Sequence, residues 1–215
     1  MNLAIDVMGG DNAPLAALSG CEAALKLLPE DAELTLYGDK RALDDAVAAG
    51  RFDVTRVSVV YTTETIGCDE QPTLAVRRKK DSSMVRALED VAASRADCIV
   101  AAGSTGALLT GATLIIKRQK GVKRPALAVA LPTLTGCALL LDSGANTDCK
   151  PEYLVQFALM GSTYMERVFG IKEPRVGLLN NGTEEEKGNE LTKAAHQLLK
   201  GAPVRFIGNC EARDV

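Results

Sequence analysis

Five apolar runs in this 215-residue chain each end in a short loop of Gly, Asn, Asp and Ser. With their loops, the runs span residues 3–14, 99–106, 139–146, 176–182 and 206–214. Most of these loops lead into a stretch with a helical pattern. In open parallel sheets, ligands bind at the carboxyl ends of the strands, where backbone N–H groups and helix N-termini face a common crevice. The pattern therefore predicts a ligand-binding α/β fold in which these loops line one site.

Strand-like and helix-like segments alternate along the whole chain. Strands are predicted at residues 3–7, 33–37, 54–61, 98–102, 126–131, 137–141, 175–179 and 204–207. Helices are predicted at residues 14–28, 41–49, 72–80, 83–94, 105–117, 151–169 and 187–199. Such alternation is typical of a largely parallel sheet covered by helices on both faces. Because no linker-like stretch interrupts it, we expect one α/β domain.

The composition excludes several classes of protein. Hydrophobic residues make up 47% and charged residues 25% of the chain, as in ordinary globular proteins. Aromatic residues are only 4%, which argues against nucleic-acid binding by base stacking. The N-terminus carries no basic segment ahead of a long apolar stretch, so no export signal is predicted. The most apolar segment, residues 126–141, is interrupted by Pro132 and Gly136 and is shorter than the ~18 residues of a membrane span.

Cysteine and histidine usage limits the chemistry. None of the six cysteines forms a C-x-x-C pair, so neither a zinc site nor a disulfide scaffold is indicated, and reduced thiols in the cytoplasm are expected. His196 is the only histidine, which argues against a metal site built on imidazoles and against a Ser/His/Asp or Cys/His pair. We therefore expect chemistry without a histidine base, a metal or a cofactor.

A strand-to-helix turn at residues 103–106, Gly-Ser-Thr-Gly, is the first candidate for anion binding. Its backbone N–H groups and the hydroxyls of Ser104 and Thr105 are suited to a phosphate. The turn matches neither the Walker A pattern nor the G-x-G-x-x-G fingerprint. The alternative is a tight turn that needs glycine at both ends for conformational reasons.

Lys187 is the second candidate. It lies at the start of a predicted helix, after three glutamates, and a cation in the first helical turn is electrostatically disfavoured. A lysine in that place, just after Asn180, Asn181 and Gly182, is suited to hold an anion. The alternative is a lysine that simply extends into solvent.

Paired acidic and amide side chains flank two other glycine loops. Asp6 and Asp11 flank Gly9 and Gly10, and Asp142 and Asn146 flank Gly144. Such pairs can hold Mg²⁺ or act as acid and base. Capping and turn formation are the commoner roles of Asp and Asn, so no metal site is predicted.

Positive charge is concentrated in one part of the chain. Residues 77–124 carry a balance of +7, whereas the rest carries −10. A segment of this kind either binds an anionic partner or forms a solvated helix surface.

Taken together, short motifs along the whole chain resemble the bacterial PlsX family of acyl-[acyl-carrier-protein]:phosphate acyltransferases. The motifs lie in order at residues 6–14, 77–84, 102–108, 124–126, 131–133, 144–146, 148–152, 156–158, 174–180, 187–190 and 206–209. Each is weakly specific alone, and the set is highly specific. The resemblance implies a three-layer α/β/α sandwich with a mostly parallel sheet, related to phosphotransacetylase and to the isocitrate/isopropylmalate dehydrogenases.

The resemblance also implies a reaction and its partners. A long-chain acyl group passes from the thioester of acyl carrier protein to inorganic phosphate. The resulting acyl phosphate is used by a downstream membrane glycerol-phosphate acyltransferase in phospholipid synthesis. A full-length member is expected to be a homodimer in the cytoplasm, peripheral at the membrane, with no nucleic-acid partner.

Site residues are assigned from the resemblance and the loop pattern together. Lys187 and Asn189 are the expected catalytic residues. Phosphate binding is expected from Gly103, Ser104, Thr105, Gly106, Asn146 and Asn180. The other site loop contains Asp6, Gly9, Gly10 and Asp11. The basic face for the carrier protein consists of Arg77, Arg78, Lys79 and Lys80.

Two departures from the family pattern bear on function. Asn181 and Thr183 stand where relatives often have an apolar residue and an acid. Family members continue past Val215 into a segment with an active-site asparagine, followed by amphipathic helices used in dimerisation and membrane docking. The chain is therefore expected to be C-terminally truncated. The alternative function is a non-catalytic α/β module that retains phosphate or carrier-protein binding.

Overall fold

The computed structural model describes residues 1–50, 52, 55–134 and 136–214. The contacts divide the chain into two compact units, Met1–Lys117 and Arg118–Val215. The first unit contains a four-stranded sheet and the second contains two two-stranded sheets, and each unit has apolar clusters of its own. The expectation of a single domain stays a prediction.

The N-terminal unit alternates strands and helices. Its strands are β1 (Asn2–Asp6), β2 (Glu33–Gly38), β3 (Val57–Tyr61) and β4 (Cys98–Ala101). Its helices are α1 (Leu15–Leu25), α2 (Lys40–Ala48), α3 (Pro72–Arg78), α4 (Ser83–Ala92) and α5 (Thr105–Gly111). The predicted start of β3, at Val54, lies outside the described residues. The predicted helix 105–117 is α-helical only to Gly111 and continues as a π-helical turn, Ala112–Ile116.

The four strands of this unit form a parallel sheet with the order β3-β2-β1-β4. From β1 the chain moves outward through β2 to β3 and then returns past β1 to form β4. The direction of winding therefore changes between β1 and β4. In open α/β sheets a crevice forms beyond the carboxyl ends of the strands at this position.

Helices cover both faces of this sheet. Successive strand residues point to opposite faces, so Ile5 and Leu36 pack in the cluster with α1 and α2. Ala4 and Tyr37 pack on the other face with Ala87 of α4. The Tyr37 hydroxyl donates to Asp90 Oδ2 over 2.6 Å, which ties β2 to α4. The unit thus has the predicted three layers.

Polar side chains cap the N-termini of three of these helices. Asp39 Oδ1 accepts from the backbone N–H groups of Arg41 and Ala42 at the start of α2. Ser82 caps α4, and Ser104 caps α5. Asp81, Ser82 and Ser83 could each cap the N-terminus of α4 from their side chains, and the structure shows that Ser82 is the cap.

The C-terminal unit contains β5 (Ala128–Thr133), β6 (Gly136–Leu141), α6 (Pro151–Val168), β7 (Arg175–Leu179), α7 (Glu190–Lys200) and β8 (Arg205–Cys210). A 3₁₀ turn, Ala212–Asp214, follows. Strands β5 and β6 form an antiparallel hairpin, whereas β7 and β8 are parallel. Leu178, Ala195 and Leu199 form the buried apolar cluster under α6 and α7. No helix in the described part of either unit is long and apolar enough to cross a membrane.

Candidate functional site

In the N-terminal unit, the loops after β1 and β4 are in backbone contact at the switch point. A Cβ atom on Gly9 would lie 2.8 Å from the backbone nitrogen of Gly103 and 2.8 Å from Asp6 Oδ2. Gly10 has a φ of +98°, and a Cβ there would lie 3.0 Å from the Ala102 carbonyl oxygen. Only glycine permits this approach and this backbone conformation. The structure therefore brings two of the predicted site loops together.

Asp6, the last residue of β1, is a buried carboxylate beside these loops, with 3% of its surface exposed. It accepts hydrogen bonds from the backbone of Met8, over 3.1 Å, and of Gly9, and from the Ser83 side chain. Burial raises the pKa of Asp6 above its usual value, because these hydrogen bonds offset the desolvation only in part. Its contacts are those of a residue that shapes the loop. Within the described residues, no cluster of three His, Cys, Asp or Glu side chains is placed to hold a metal ion.

The turn at residues 103–106 has structural roles for three of its members. Ser104 is buried, and its hydroxyl oxygen accepts from the Ala107 N–H over 3.3 Å. Gly103 faces Gly9, and a Cβ on Gly106 would lie 2.9 Å from Pro72 Cγ. Thr105 is exposed. Tight packing thus accounts for both glycines, and phosphate binding by this turn stays a prediction.

The four basic residues at the end of α3 differ in whether their side chains are bonded within the protein. Arg77 and Arg78 are exposed, and neither has an ion-pair partner among the described residues. Lys79 Nζ instead bonds to Glu70 Oε1 and to the Thr65 carbonyl oxygen, each over 2.6 Å. Lys80 Nζ bonds to the Val76 carbonyl oxygen over 3.3 Å. The two arginines are therefore the side chains available to a partner, whereas Lys79 anchors a loop.

In the C-terminal unit, Asn146 belongs to a loop organised around Asp142. The carboxylate of Asp142 accepts from the backbone of Leu127 and Asn146, each over 2.7 Å, and from Ala145 over 3.1 Å. Desolvation by burial is the largest influence on Asp142 and raises its pKa, but the hydrogen bonds together outweigh it, so the pKa is lowered. The Asn146 amide donates to Asp142 and to the Pro125 carbonyl oxygen. Both donors of this amide are therefore used within the loop.

A second loop of this unit, residues 180–189, contains Lys187. The Lys187 N–H donates to the Glu184 carbonyl oxygen over 3.1 Å, and its own carbonyl oxygen accepts from Asn180 Nδ2, also over 3.1 Å. Gly188 has a φ of +93°, and a Cβ there would lie 2.6 Å from Asn180 Oδ1. The side chain of Lys187 is exposed, and no described residue pairs with its ammonium group. The backbone is fixed while the cation is unpaired.

Lys187 does not lie in the first turn of a helix, where the sequence had predicted it. Helix α7 begins at Glu190, so Lys187 precedes the helix rather than standing in its first turn. Asn189 is the N-cap, and its Oδ1 accepts from the Thr192 N–H over 3.0 Å. Helix capping accounts for the Asn189 oxygen, and the catalytic role of Asn189 stays a prediction. Lys187 remains a candidate for anion binding because its ammonium group has no partner among the described residues and its backbone is held by hydrogen bonds.

A buried polar pair lies beneath this loop, and the sequence pattern did not indicate it. His196 Nδ1 lies 2.9 Å from Asn209 Oδ1, and both residues are buried. Asn209 Nδ2 donates to the Glu184 carbonyl oxygen over 2.6 Å. The His196 ring also meets Phe206 edge-on, with 5.1 Å between ring centroids. The sequence feature that could have indicated this pair is a lone histidine on the apolar face of a helix, 13 residues before an asparagine in a strand.

The sequence of the whole chain is similar to that of known proteins. The sequence model of the family described as "Fatty acid synthesis protein" matches residues 1–215. Proteins named phosphate acyltransferase are similar: that of Halalkalibacterium halodurans is 53% identical over the whole chain and 63% of its own length. The Bacillus subtilis protein is 49% identical over the whole chain and 64% of its own length. The chain thus spans less than two thirds of the length of these relatives.

Solved structures of phosphotransacetylases share the fold. The chain superposes on the Streptococcus pyogenes phosphotransacetylase with a TM-score of 0.70 at 17% identity, covering 97% of this chain and 68% of that one. For the EutD phosphotransacetylase of Staphylococcus aureus the TM-score is 0.67, also at 17% identity, with coverage of 98% and 68%. The likeness confirms the predicted fold class, α/β with a mostly parallel sheet.

Proposed function

The chain belongs to the Fatty acid synthesis protein family, and we propose that the protein transfers an acyl group from the thioester of acyl carrier protein to inorganic phosphate. The observation that carries the proposal is the similarity of the whole chain to proteins named phosphate acyltransferase, at 53% identity for one of them. The products are an acyl phosphate and the free carrier protein.

The residues support a reaction without an enzyme nucleophile. An oxygen of phosphate attacks the thioester carbonyl carbon, a C–O bond forms, and the C–S bond breaks as the thiolate leaves. Phosphate is itself a nucleophile near neutral pH, so positioning and charge stabilisation are sufficient. The only histidine is buried against Asn209 and Phe206, where it has no access to a substrate.

Lys187 is the residue we propose for charge stabilisation. Its ammonium group has no partner among the described residues, and its backbone is held on both sides. A fixed cation lowers the free energy of negative charge that develops on the phosphate or the carbonyl oxygen. Asn189 is proposed as a second catalytic residue of the same loop, and Asn180 as a phosphate ligand. Asn146 is proposed as a further phosphate ligand whose Oδ1 accepts from the P–OH group of hydrogen phosphate, since its amide donors are used within the loop.

The loops at the switch point of the N-terminal unit are proposed to bind a polar part of a substrate. The backbone N–H groups of residues 103–106, and the exposed Thr105 hydroxyl, are the donors suited to phosphate. Asp6, Gly9, Gly10 and Asp11 are proposed to shape this loop edge rather than to react, because Asp6 is hydrogen-bonded within it.

The partner proposed for Arg77 and Arg78 is the acidic acyl carrier protein. Exposed, unpaired guanidinium groups steer an acidic protein and add specificity for it. We further propose a homodimer in the cytoplasm, in peripheral contact with the membrane, that supplies acyl phosphate to a membrane glycerol-phosphate acyltransferase. No cofactor is required by this scheme.

The experiment that tests the proposal measures loss of the acyl thioester from acyl carrier protein. The assay compares this chain with a version extended to the length of its relatives, each with and without phosphate. We expect phosphate-dependent loss of the thioester and formation of acyl phosphate by the extended version. Loss of thioester at the same rate without phosphate would indicate a hydrolase and overturn the proposal.

A further inference from the structure

The turn that presents Lys187 is bonded to strand β8 through the side chain of Asn209. The Glu184 carbonyl oxygen accepts two hydrogen bonds, from the Lys187 N–H over 3.1 Å and from Asn209 Nδ2 over 2.6 Å. Asn209 lies in β8, where it is paired with Leu178 of β7. Asn209 therefore ties the Glu184 end of the turn to β8, while the Asn180 amide holds the Lys187 end.

The orientation of that amide group follows from its partners. A carbonyl oxygen only accepts hydrogen bonds, so the atom of Asn209 that faces Glu184 is the NH₂ nitrogen. The atom that faces His196 is then Oδ1, at 2.9 Å from the ring Nδ1. Since Oδ1 is an acceptor, His196 carries a proton on Nδ1. The histidine thus holds the asparagine in the one orientation that lets it donate to the turn.

The pair of Asn209 and His196 is shielded from water. His196 is 3% exposed and Asn209 8% exposed. The ring of His196 is fixed by its edge-on contact with Phe206, and its Nε2 lies 3.8 Å from Glu185 Oε1, next to the same turn. Hydrogen bonds shielded in this way are costly to break, because a buried polar group is left without a partner. The hydrogen bonds of Asn209 are therefore costly to lose.

We infer that Asn209, backed by His196, is a positioning residue that holds the Glu184–Lys187 turn in the conformation that places Lys187 for phosphate transfer. The inference rests on the role proposed for Lys187. Neither Asn209 nor His196 touches the substrate in this scheme; both act through the backbone of the turn.

The first test needs no activity. In Asn209→Asp the side chain keeps its size and an oxygen toward His196 but loses the donor to Glu184. We expect the Lys187 amide of this variant to exchange its hydrogen about three- to tenfold faster, the change that the loss of one hydrogen bond produces. Leu199→Ala, a buried change in the same unit at the far end of α7, is the control for general destabilisation. Equal acceleration of Lys187 exchange in both variants overturns the inference.

The second test uses turnover by the version extended to the relatives' length. Asn209→Asp is expected to lower kcat by about ten- to a hundredfold, the usual effect of a small displacement of a catalytic group. In the Lys187→Ala background it should have no further effect, because Asn209 acts only through Lys187. Full additivity of the two substitutions overturns the inference.

The two tests separate failure of the inference from failure of the proposed function. If Lys187→Ala retains normal turnover, the proposed function of Lys187 is wrong. If Lys187→Ala is inactive and Asn209→Asp changes neither exchange nor kcat, the inference alone is wrong. Should Asn209→Asp fail to fold, His196→Phe takes its place, since phenylalanine keeps the contact with Phe206 and loses the bond to Asn209. The same exchange and kcat changes are expected of it.

Discussion

Gly9 and Gly103, which follow neighbouring strands β1 and β4, lie so close that a methyl group on Gly9 would be 2.8 Å from the Gly103 nitrogen. Backbone atoms cannot move aside as a flexible side chain can. We therefore expect Gly9→Ala to destabilise the protein by about 1–3 kcal/mol, as overpacking does. Gly20→Ala is the matched control: Gly20 lies within α1 with open space around it. It should stabilise the fold by about 0.5–1 kcal/mol. Urea unfolding of both variants checks this, and equal stabilities would contradict it.

Lys187→Ala in a protein of the relatives' length should lower turnover by about two to three orders of magnitude, the usual effect of losing one stabilising group at a developing charge. Lys193→Ala is the control, since Lys193 is an exposed lysine of α7 in the same unit. It should leave turnover unchanged. Near-normal rates for Lys187→Ala would mean that this lysine only extends into solvent.

The pKa of Asp6 gives a pH dependence of stability. Because the pKa is raised in the folded state, protonation favours folding, and stability is lost as the pH rises from the unfolded pKa, near 3.8, through the folded one. Asp6→Asn does not ionise there. Its stability relative to the natural protein should therefore increase as the pH rises through that range. Unfolding in urea at several pH values measures the difference. A difference that does not vary with pH would contradict the raised pKa.

Reversal of charge at Arg77 and Arg78 should weaken binding of acyl carrier protein at low salt and reduce its salt dependence. Phosphate affinity should hardly change. Lys79 is left intact because its bonds to Glu70 and Thr65 hold a loop. The double variant Lys26→Glu and Lys193→Glu, at two exposed lysines outside this face, is the control for net charge. Titration of a labelled carrier protein gives the affinities, and an unchanged value for the double reversal would exclude this face.

The cysteines should be dispensable for turnover. Burial raises the pKa of Cys21 to about 11, and desolvation also raises the pKa values of Cys98, Cys149 and Cys210. Thiols with raised pKa values are poor nucleophiles because the thiolate is the reactive form. Each Cys→Ser variant is expected to retain most of its activity. Mass spectrometry under turnover provides the direct check, and an acyl group on any cysteine would show a covalent intermediate.

The apolar periodicity was sufficient to predict most elements, because each strand and helix buries a face of its own sequence. β7 at Arg175–Leu179 has the predicted bounds, and α6 differs by one residue at its end. The start of α7 was wrong by three residues, because Gly188 adopts a positive φ and Asn189 caps the helix. The local sequence Gly-Asn-Glu carried that signal.

Features that depend on pairing between distant segments could not be read from the sequence. The return of the chain past β1 to β4 is a property of strand order, and the antiparallel direction of β5 and β6 depends on their hairpin. The same limit applies to the candidate site. Loop composition identified Lys187 and the glycine turn, whereas Asn209 and His196 are explained only by the carbonyl group that they hold in place.

The strand order of the N-terminal unit determines when the loops after β1 and β4 come together during folding. The N–H of Asn2 bonds to the Asp97 carboxylate, 95 residues later in the chain, immediately before β4. During synthesis β1 therefore has no neighbour on that side until β4 has left the ribosome, whereas its pairing with β2 is available early. Contacts of such long separation are slow to form. We therefore expect the contact between Gly9 and Gly103 to form last, and a polypeptide that stops short of β4 to have three of the four strands of this sheet and none of this contact.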